Sequence, residues 1–173
     1  MLPTIDVLNE MPEGQATDAL QQLFEHAPGF VRRLTDERPF ASYEELIDRA
    51  EDLAAALAES EQVEVINGHP RIGADPASIS SQSYREQGYD RAASAGDEDL
   101  ADRLARLNAE YEHRFGFRFC IFVAGRPRTE IAELMADRLS AEREEELDRA
   151  LSDVFAIARS RLVKLTHPLE EAR

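Results

Sequence analysis

The longest regular apolar pattern in the chain lies near its C-terminal end and predicts a helix. Its apolar residues recur at steps that keep them on one helical face: Leu147, Leu151, Val154, Ala158 and Leu165. Ser140 offers an N-cap, and the acids that follow it complement the helix dipole. An apolar face of this length has to be buried against other elements, so it favours a helical protein.

The N-terminal third has further helix signals. Thr4 caps a short helix that Glu13-Gly14 interrupts, and a second amphipathic helix is predicted to end at Pro28. The run Ser42-Tyr43-Glu44-Glu45 forms a capping box that opens a long helix. The residues Val63–Ile66 are ambiguous because their alternation also suits a short strand.

The middle of the chain contains one more clear helix. Residues 74–82 are rich in Ser, Ala and Pro and predict a connecting loop. Asp97 then opens a helix that Gly116 ends, and His113 lies off its apolar stripe. The length of 173 residues suits one domain, so a single domain over residues 1–173 is predicted.

Residues 117–124 are the least helix-like part of the chain. They are apolar and β-prone, and they lie between Gly116 and Gly125. The chain offers almost no strand partners for them, so an extended segment threaded through a helical protein is predicted. Its backbone N–H and C=O groups need partners, which a polar ligand could supply, as could water and neighbouring helices.

The charge and composition exclude several classes of function. The 173 residues carry a net charge of −15, which argues against a nucleic-acid footprint and against binding to anionic membrane surfaces. Cys120 is the only cysteine, so neither an intramolecular disulfide nor a cysteine zinc site can form. No apolar run approaches the ~20 residues of a membrane span. We therefore expect a soluble cytoplasmic protein.

The polar chemistry concentrates around His69. Pro70 biases this histidine towards an extended corner, and Gly68 and Gly73 permit positive φ or a close backbone approach. Such a corner is either an ordinary helix-ending turn or the place of a catalytic imidazole, because histidine titrates near neutrality.

A second polar motif is Ser83-x-x-Glu86-Gln87. On local physics alone, Ser83 and Glu86 form a capping box. That interpretation does not explain Gln87, and the spacing places all three side chains on one helical face. A functional site and a helix cap therefore both remain open here.

Arg161 lies on the apolar face of the last predicted helix. A guanidinium in that place is costly unless it is paired, so it should meet a carboxylate of the protein, a partner subunit or an anionic ligand. Arg149, Arg159 and the acids at 144–146 are interpreted as ordinary solvated charges.

Several motifs in a fixed order together resemble one enzyme family. They are His69-Pro70, Ser83-x-x-Glu86-Gln87, Leu107-Asn108-x-x-Tyr111-x-x-x-Phe115-Gly116-Phe117-x-Phe119, Gly125-Arg126 and Ile157-Ala158-Arg159-x-Arg161-Leu162, with Phe24-Glu25-His26-x-Pro28 and Arg38-Pro39-Phe40 before them. This set is similar to the decarboxylases of 2-oxo-4-hydroxy-4-carboxy-5-ureidoimidazoline (OHCU), which form (S)-allantoin in urate degradation, a part of purine metabolism. The resemblance implies an all-α fold, a homodimer, and no metal or organic cofactor.

The resemblance also implies a role for each site residue. His69 would be the catalytic acid and Glu86 would act with it. The substrate-binding residues would be Pro70, Ser83, Gln87, the backbone of Phe119, Cys120, Ile121, Phe122 and Val123, and Arg161. Two other classes stay open from the residues themselves. They are a non-enzymatic helical adaptor and a small hydrolase that uses His69 and Glu86 on a hydantoin-like amide.

Overall fold

The computed structural model describes residues 1–89 and 97–166, and these contain nine α-helices, one 3-10 turn and no β-strand. The elements are α1 (Ile5–Glu10), α2 (Glu13–Phe24), α3 (Pro28–Asp36), α4 (Tyr43–Ala55), α5 (Glu59–Asn67), the 3-10 turn Pro76–Ser78, α6 (Ser81–Glu86), α7 (Asp97–Phe115), α8 (Arg128–Arg138) and α9 (Arg143–Thr166). The predicted all-α fold is confirmed.

Several helix ends lie where the sequence signals place them. The hydroxyl oxygen of Thr4 accepts a hydrogen bond from the backbone N–H of Val7 and begins α1. Ser42 caps α4 in the same way through the N–H of Glu45. Gly116, at φ +80°, ends α7 in the left-handed conformation that a residue without Cβ adopts at low cost.

Other boundaries differ from the prediction. Glu13 and Gly14 do not form the break between the first two helices but are the first residues of α2. Pro28 is the first residue of α3 and does not end α2. Proline suits this first helical position because the N–H that it lacks would have no partner inside the helix. Val63–Ile66 belong to α5, so the helical option is correct for this ambiguous run. The helix α9 begins at Arg143, and Ser140 is not its cap.

The backbone forms two compact units. The first contains Met1–His69 together with the chain from Leu151 onward, and thus includes α1–α5 and the later part of α9. Its core includes three edge-on phenylalanine rings, Phe24, Phe30 and Phe155, whose centroids lie 5.5–6.3 Å apart. Such contacts add to the stabilisation from apolar burial.

The second unit spans Pro70–Ala150 and includes α6, α7, α8 and the first part of α9. Four aromatic residues pack together in its core: Tyr111, Phe115, Phe117 and Phe119. Two of them come from α7 and two from the segment that follows it, so the aromatic cluster ties residues 117–119 to the helix. The assignment of residues 1–173 to a single domain stays a prediction.

None of the helices in the described part of the chain is both long and apolar enough to cross a membrane.

Candidate active site

His69 directly follows the C-terminal end of α5. Gly68 caps this helix with α-helical dihedral angles, and a Cβ added to it would lie 3.1 Å from the carbonyl carbon of His26. The predicted close backbone approach is therefore present at Gly68, although positive φ is not needed there. His69 itself is buried, with 5% of its surface exposed.

The imidazole of His69 is neutral at physiological pH. Its pKa is lowered from 6.5 to about 4, chiefly by burial and also by the positive charge of Arg161, while the carboxylate of Glu25 opposes these effects. This corrects the expectation of a histidine that titrates near neutrality. Without a ligand, His69 can accept a proton or donate its N–H in a hydrogen bond, but it does not carry the positive charge of an imidazolium.

Arg161 forms a buried ion pair with Glu25 in the first unit. Its Nη2 lies 2.8 Å from Oε1 of Glu25, and only 1% and 6% of the two side chains are exposed. Arg161 also donates to the carbonyl oxygen of Leu23 at 3.5 Å. Of the partners open to Arg161 from the sequence, the structure thus provides a carboxylate of the protein itself.

Glu25 is the buried partner of Arg161, and the sequence reasoning did not single it out. It follows the last residue of α2 and has φ +53° and ψ −141°, a conformation that is unfavourable for a side chain with a Cβ. This backbone geometry accompanies a carboxylate buried against Arg161. A signal was present, because a carboxylate of the protein was one of the partners open to Arg161 and Glu25 lies within the motif Phe24-Glu25-His26-x-Pro28.

Gln87 holds the segment that follows Pro70. Its Oε1 accepts from the backbone N–H of Gly73 at 2.9 Å, and its Nε2 donates to the carbonyl oxygen of Arg71 at 3.0 Å. The Nδ2 of Asn108 donates to the carbonyl oxygen of Ile72 at 2.9 Å. Two buried amides therefore fix three consecutive residues immediately after the His69-Pro70 corner.

Gly73 is packed closely against α7. It has φ +80°, and an added Cβ would lie 3.1 Å from Cδ1 of Leu104. Both of the properties expected for the glycines of this corner, positive φ and close approach, are present at Gly73. The segment is thus fixed by shape as well as by hydrogen bonds.

The second polar motif lies on α6 and at its end. Ser80, and not Ser83, is the N-cap, since its hydroxyl oxygen accepts from the N–H of Ser83 at 3.1 Å. The capping-box interpretation of Ser83 and Glu86 is therefore wrong. Ser83 and Gln87 are buried, and Glu86 is half-buried.

The extended segment, residues 117–124, has no strand partner among the described residues, and arginine side chains bind several of its carbonyl groups. Arg149 donates to Cys120, and Arg126 donates to Phe122 and Val123. The sequence left open whether ligand, water or helices satisfy this backbone. For three of its carbonyl oxygens, guanidinium groups of the protein supply hydrogen bonds.

Arg149 and Glu146 are not the solvated charges that the sequence analysis expected. Glu146 is fully buried, and Oε2 accepts from the hydroxyl of Tyr111 at 2.7 Å. The guanidinium of Arg149 donates to both carboxylate oxygens at 3.0–3.1 Å. The acids at 144 and 145 are exposed, as is Arg159, which pairs with Asp48 and Glu51 at the surface.

The predicted site residues belong to both units. His69 and Arg161 lie in the first unit, and the rest lie in the second: Pro70, Ser83, Glu86, Gln87 and Phe119–Val123. Their roles stay predictions. Within residues 1–89 and 97–166, no cluster of three or more His, Cys, Asp or Glu side chains is arranged to hold a metal ion.

Replacing Arg161 with methionine should destabilise the first unit. The change leaves the carboxylate of Glu25 buried without its guanidinium, which costs about 3–5 kcal/mol in comparable buried pairs. Urea denaturation of Arg161→Met will measure this loss, and Glu25→Gln/Arg161→Met should recover part of it. Arg159→Met, on the exposed side of the same helix, should change stability by less than about 1 kcal/mol. Equal stability of Arg161→Met and wild type would show that the pair has no structural role.

The stability of the protein should depend on pH through His69. The unfolded chain binds this proton with a pKa near 6.5 and the native protein with one near 4. The contribution of His69 to the free energy of unfolding is therefore largest above pH 6.5. It decreases as the pH falls from 6.5 to 4 and does not change further below pH 4. The loss amounts to at most about 3 kcal/mol. Urea denaturation at pH 7 and 4.5 should show a smaller change in His69→Asn than in wild type, whereas exposed His113→Asn should behave as wild type. The same change in all three proteins would contradict the lowered pKa.

Comparison with known proteins agrees with this arrangement of helices and motifs. The family model described as OHCU decarboxylase matches residues 9–163. The chain is 34% identical over 164 residues to the uric acid degradation bifunctional protein PucL of Bacillus subtilis, covering 94% of this chain but only 32% of that protein. It is 30% identical over 169 residues to the 2-oxo-4-hydroxy-4-carboxy-5-ureidoimidazoline decarboxylase of Halalkalicoccus jeotgali, covering 95% and 93% of the two chains.

A solved structure has the same fold. It is the crystal structure of OHCU decarboxylase in the presence of (S)-allantoin, with a TM-score of 0.67 and 25% identity over 84% of this chain and 95% of that one. The family match extends over most of the sequence and includes His69, the Ser83 motif, the extended segment and Arg161. The chain therefore belongs to the OHCU decarboxylase family, a family of lyases, as its motifs predicted.

Proposed function

We propose that this protein converts OHCU to (S)-allantoin and CO2 in urate degradation. The observation that carries the proposal is the family match over residues 9–163, which includes every residue assigned to the site. The solved relative with the same fold was crystallised in the presence of (S)-allantoin. The substrate is thus a small anionic heterocycle with a ureido group.

The reaction requires charge stabilisation and a directed proton transfer. When the carboxylate leaves as CO2, its electron pair stays on the imidazoline ring, which is conjugated and can accept it. One proton must then be added to a ring carbon from one side to give a single enantiomer. Fixed hydrogen-bond donors stabilise such an anion better than water does, because they need no reorganisation.

In this proposal His69 carries the proton. Because the resting imidazole is neutral, it has to take up a proton during the catalytic cycle before it donates one. An anionic substrate beside the imidazole favours that uptake, since a nearby negative charge raises the pKa of histidine. Glu86 acts with His69 and steers the proton.

The other polar residues bind and orient the substrate. Arg161 binds an oxygen-rich edge of OHCU, and its pairing with Glu25 fixes the direction in which the guanidinium points. Ser83 and Gln87 hydrogen-bond the ring or the ureido group. Gln87 already uses both ends of its amide on the backbone of Arg71 and Gly73, so it offers a substrate its second N–H and its second lone pair.

The remaining binding groups are a proline and a stretch of backbone. Pro70 packs on the ligand, and the backbone of Phe119–Val123 holds the hydantoin-like ring. We further propose that the protein is a single-domain cytoplasmic homodimer that needs no cofactor. Its partners are then OHCU and allantoin, with no nucleic acid and no membrane.

The purified protein should accelerate the loss of OHCU freshly generated from urate. The product should be optically active (S)-allantoin with one CO2 released per turnover, because a positioned donor protonates one face. Absorbance, circular dichroism and CO2 release will measure this. Racemic allantoin at the spontaneous rate would exclude a decarboxylase, and amide hydrolysis without CO2 would indicate the hydrolase alternative.

If His69 and Glu86 act on one proton, their effects should not add. His69→Asn and Glu86→Gln should each lower kcat at least 100-fold, and the double variant should be scarcely slower than the worse single variant. His113→Asn, a histidine exposed on α7, should retain wild-type kcat. Full additivity in a steady-state assay would assign the two residues to separate steps.

A further inference from the structure

The carbonyl groups of the extended segment are bound in an unusual way. Nη1 of Arg149 donates to the carbonyl oxygen of Cys120 at 2.9 Å. Arg126 donates through Nε to the carbonyl oxygen of Val123 at 3.0 Å and through Nη2 to that of Phe122. A strand in a sheet receives these bonds from a neighbouring strand, whereas here they come from two arginine side chains.

Arg149 is itself oriented by a buried acid. Its Nε and Nη2 donate to the carboxylate of Glu146 in the two-point geometry that a guanidinium and a carboxylate favour. Tyr111 adds a third bond to Glu146 at 2.7 Å, and Arg138 contributes a longer one at 3.3 Å. Burial, together with the bond to Glu146, raises the pKa of the Tyr111 hydroxyl, so it stays protonated as a donor.

The same guanidinium also fixes a side chain of the segment. Its carbon lies 5.1 Å from the centre of the Phe119 ring, within the range of a cation–π contact. The ring of Tyr111 meets Phe119 edge-on with centroids 5.2 Å apart. Nη2 of Arg149 also donates to the Tyr111 hydroxyl at 3.4 Å, so Glu146, Tyr111 and Phe119 hold Arg149 while it binds the backbone at Cys120.

Such a cluster contributes little to the stability of the fold, but it fixes the orientation of the Arg149 side chain. Burying charged groups costs much of the free energy that their attraction returns, and replacing a buried ion pair by apolar side chains of similar volume is often neutral or stabilising. The two-point ion pair with Glu146 instead fixes the orientation of the guanidinium, and with it the direction in which Nη1 of Arg149 donates. That direction points at Cys120.

The bound carbonyls of Cys120 and Phe122 lie on one edge of the segment, whereas that of Val123, which also accepts from the backbone N–H of Arg126, belongs to the turn that follows. In an extended chain successive residues direct their N–H and C=O groups to alternate edges, so Cys120 and Phe122 share an edge, and Phe119 and Ile121 share the opposite one. We infer that Arg149 and Arg126 are positioning residues. They hold the edge formed by Cys120 and Phe122, so that the opposite edge, formed by Phe119 and Ile121, is presented to OHCU. This inference rests on the proposed function, which assigns the ligand to this backbone.

The experiment compares three variants with a matched control. Arg149→Lys keeps the charge but cannot bind Glu146 at two points and Cys120 at once. Glu146→Gln/Arg149→Met removes both buried charges, so neither is left unpaired if the single variant fails to fold. Arg126→Met tests the second clamp near the turn. The control is Arg159→Met, an exposed arginine of α9 whose partners are Asp48 and Glu51.

We expect two effects in the folded variants at Arg149 and Arg126. Amide hydrogen exchange in residues 117–123 should be at least tenfold faster, with exchange in α4 unchanged. The Kd for (S)-allantoin and the KM for OHCU should rise at least tenfold and more than kcat falls, because binding groups are displaced while the proton donor is intact. The control should match wild type in all of these measurements.

Two results would overturn the inference. Unchanged exchange in residues 117–123 would show that the arginines do not hold the segment. Faster exchange with unchanged KM and allantoin affinity would show a purely structural clamp. A wild-type protein that neither turns over OHCU nor binds allantoin would instead refute the proposed function, and the exchange measurement would still decide whether the arginines clamp the segment.

Discussion

The buried pair of Arg161 and Glu25 is the interaction that most constrains the first unit. A guanidinium at 1% exposure needs a compensating charge, and the acid reaches it from a backbone with positive φ just after α2. The end of α2 and the later part of α9 are therefore linked by one electrostatic requirement. The same pair acts on His69, where Arg161 lowers the imidazole pKa and Glu25 opposes that effect.

The second unit meets a comparable requirement with a different result. Glu146 and Arg149 compensate each other inside the unit, and the donor that remains on Arg149 binds the backbone at Cys120. In the first unit a buried charge accompanies an unfavourable conformation at one residue. In the second unit, the buried charge of Arg149 binds an extended segment that has no strand partner among the described residues. In both, buried arginine provides direction more than stability, because its fork binds at two points.

The sequence predicts helices better than it predicts which charges are buried. The caps at Thr4 and Ser42 are local, so residues three positions apart suffice to place them. Ser83 failed as a cap because Ser80, three residues earlier, offers the same hydroxyl, and only the fold selects between them. Glu146 follows two exposed acids of identical chemistry, and its burial depends on Tyr111, 35 positions away. Arg161 was recognisable because it interrupts an apolar face, whereas its partner lies 136 positions away.

The low proton affinity of His69 follows chiefly from its burial and secondly from the charge of Arg161, and it bears on the order of events in the proposed reaction. A neutral imidazole beside the ion pair of Arg161 and Glu25 adds no net charge, so an anion that binds there adds one negative charge. That charge raises the pKa of the imidazole, which links substrate binding to proton uptake. Conversion of the OHCU carboxylate to allantoin and CO2 consumes one proton. A histidine that gains its proton only with the substrate would supply it where and when the ring anion forms, and would not retain a costly buried cation in the empty protein.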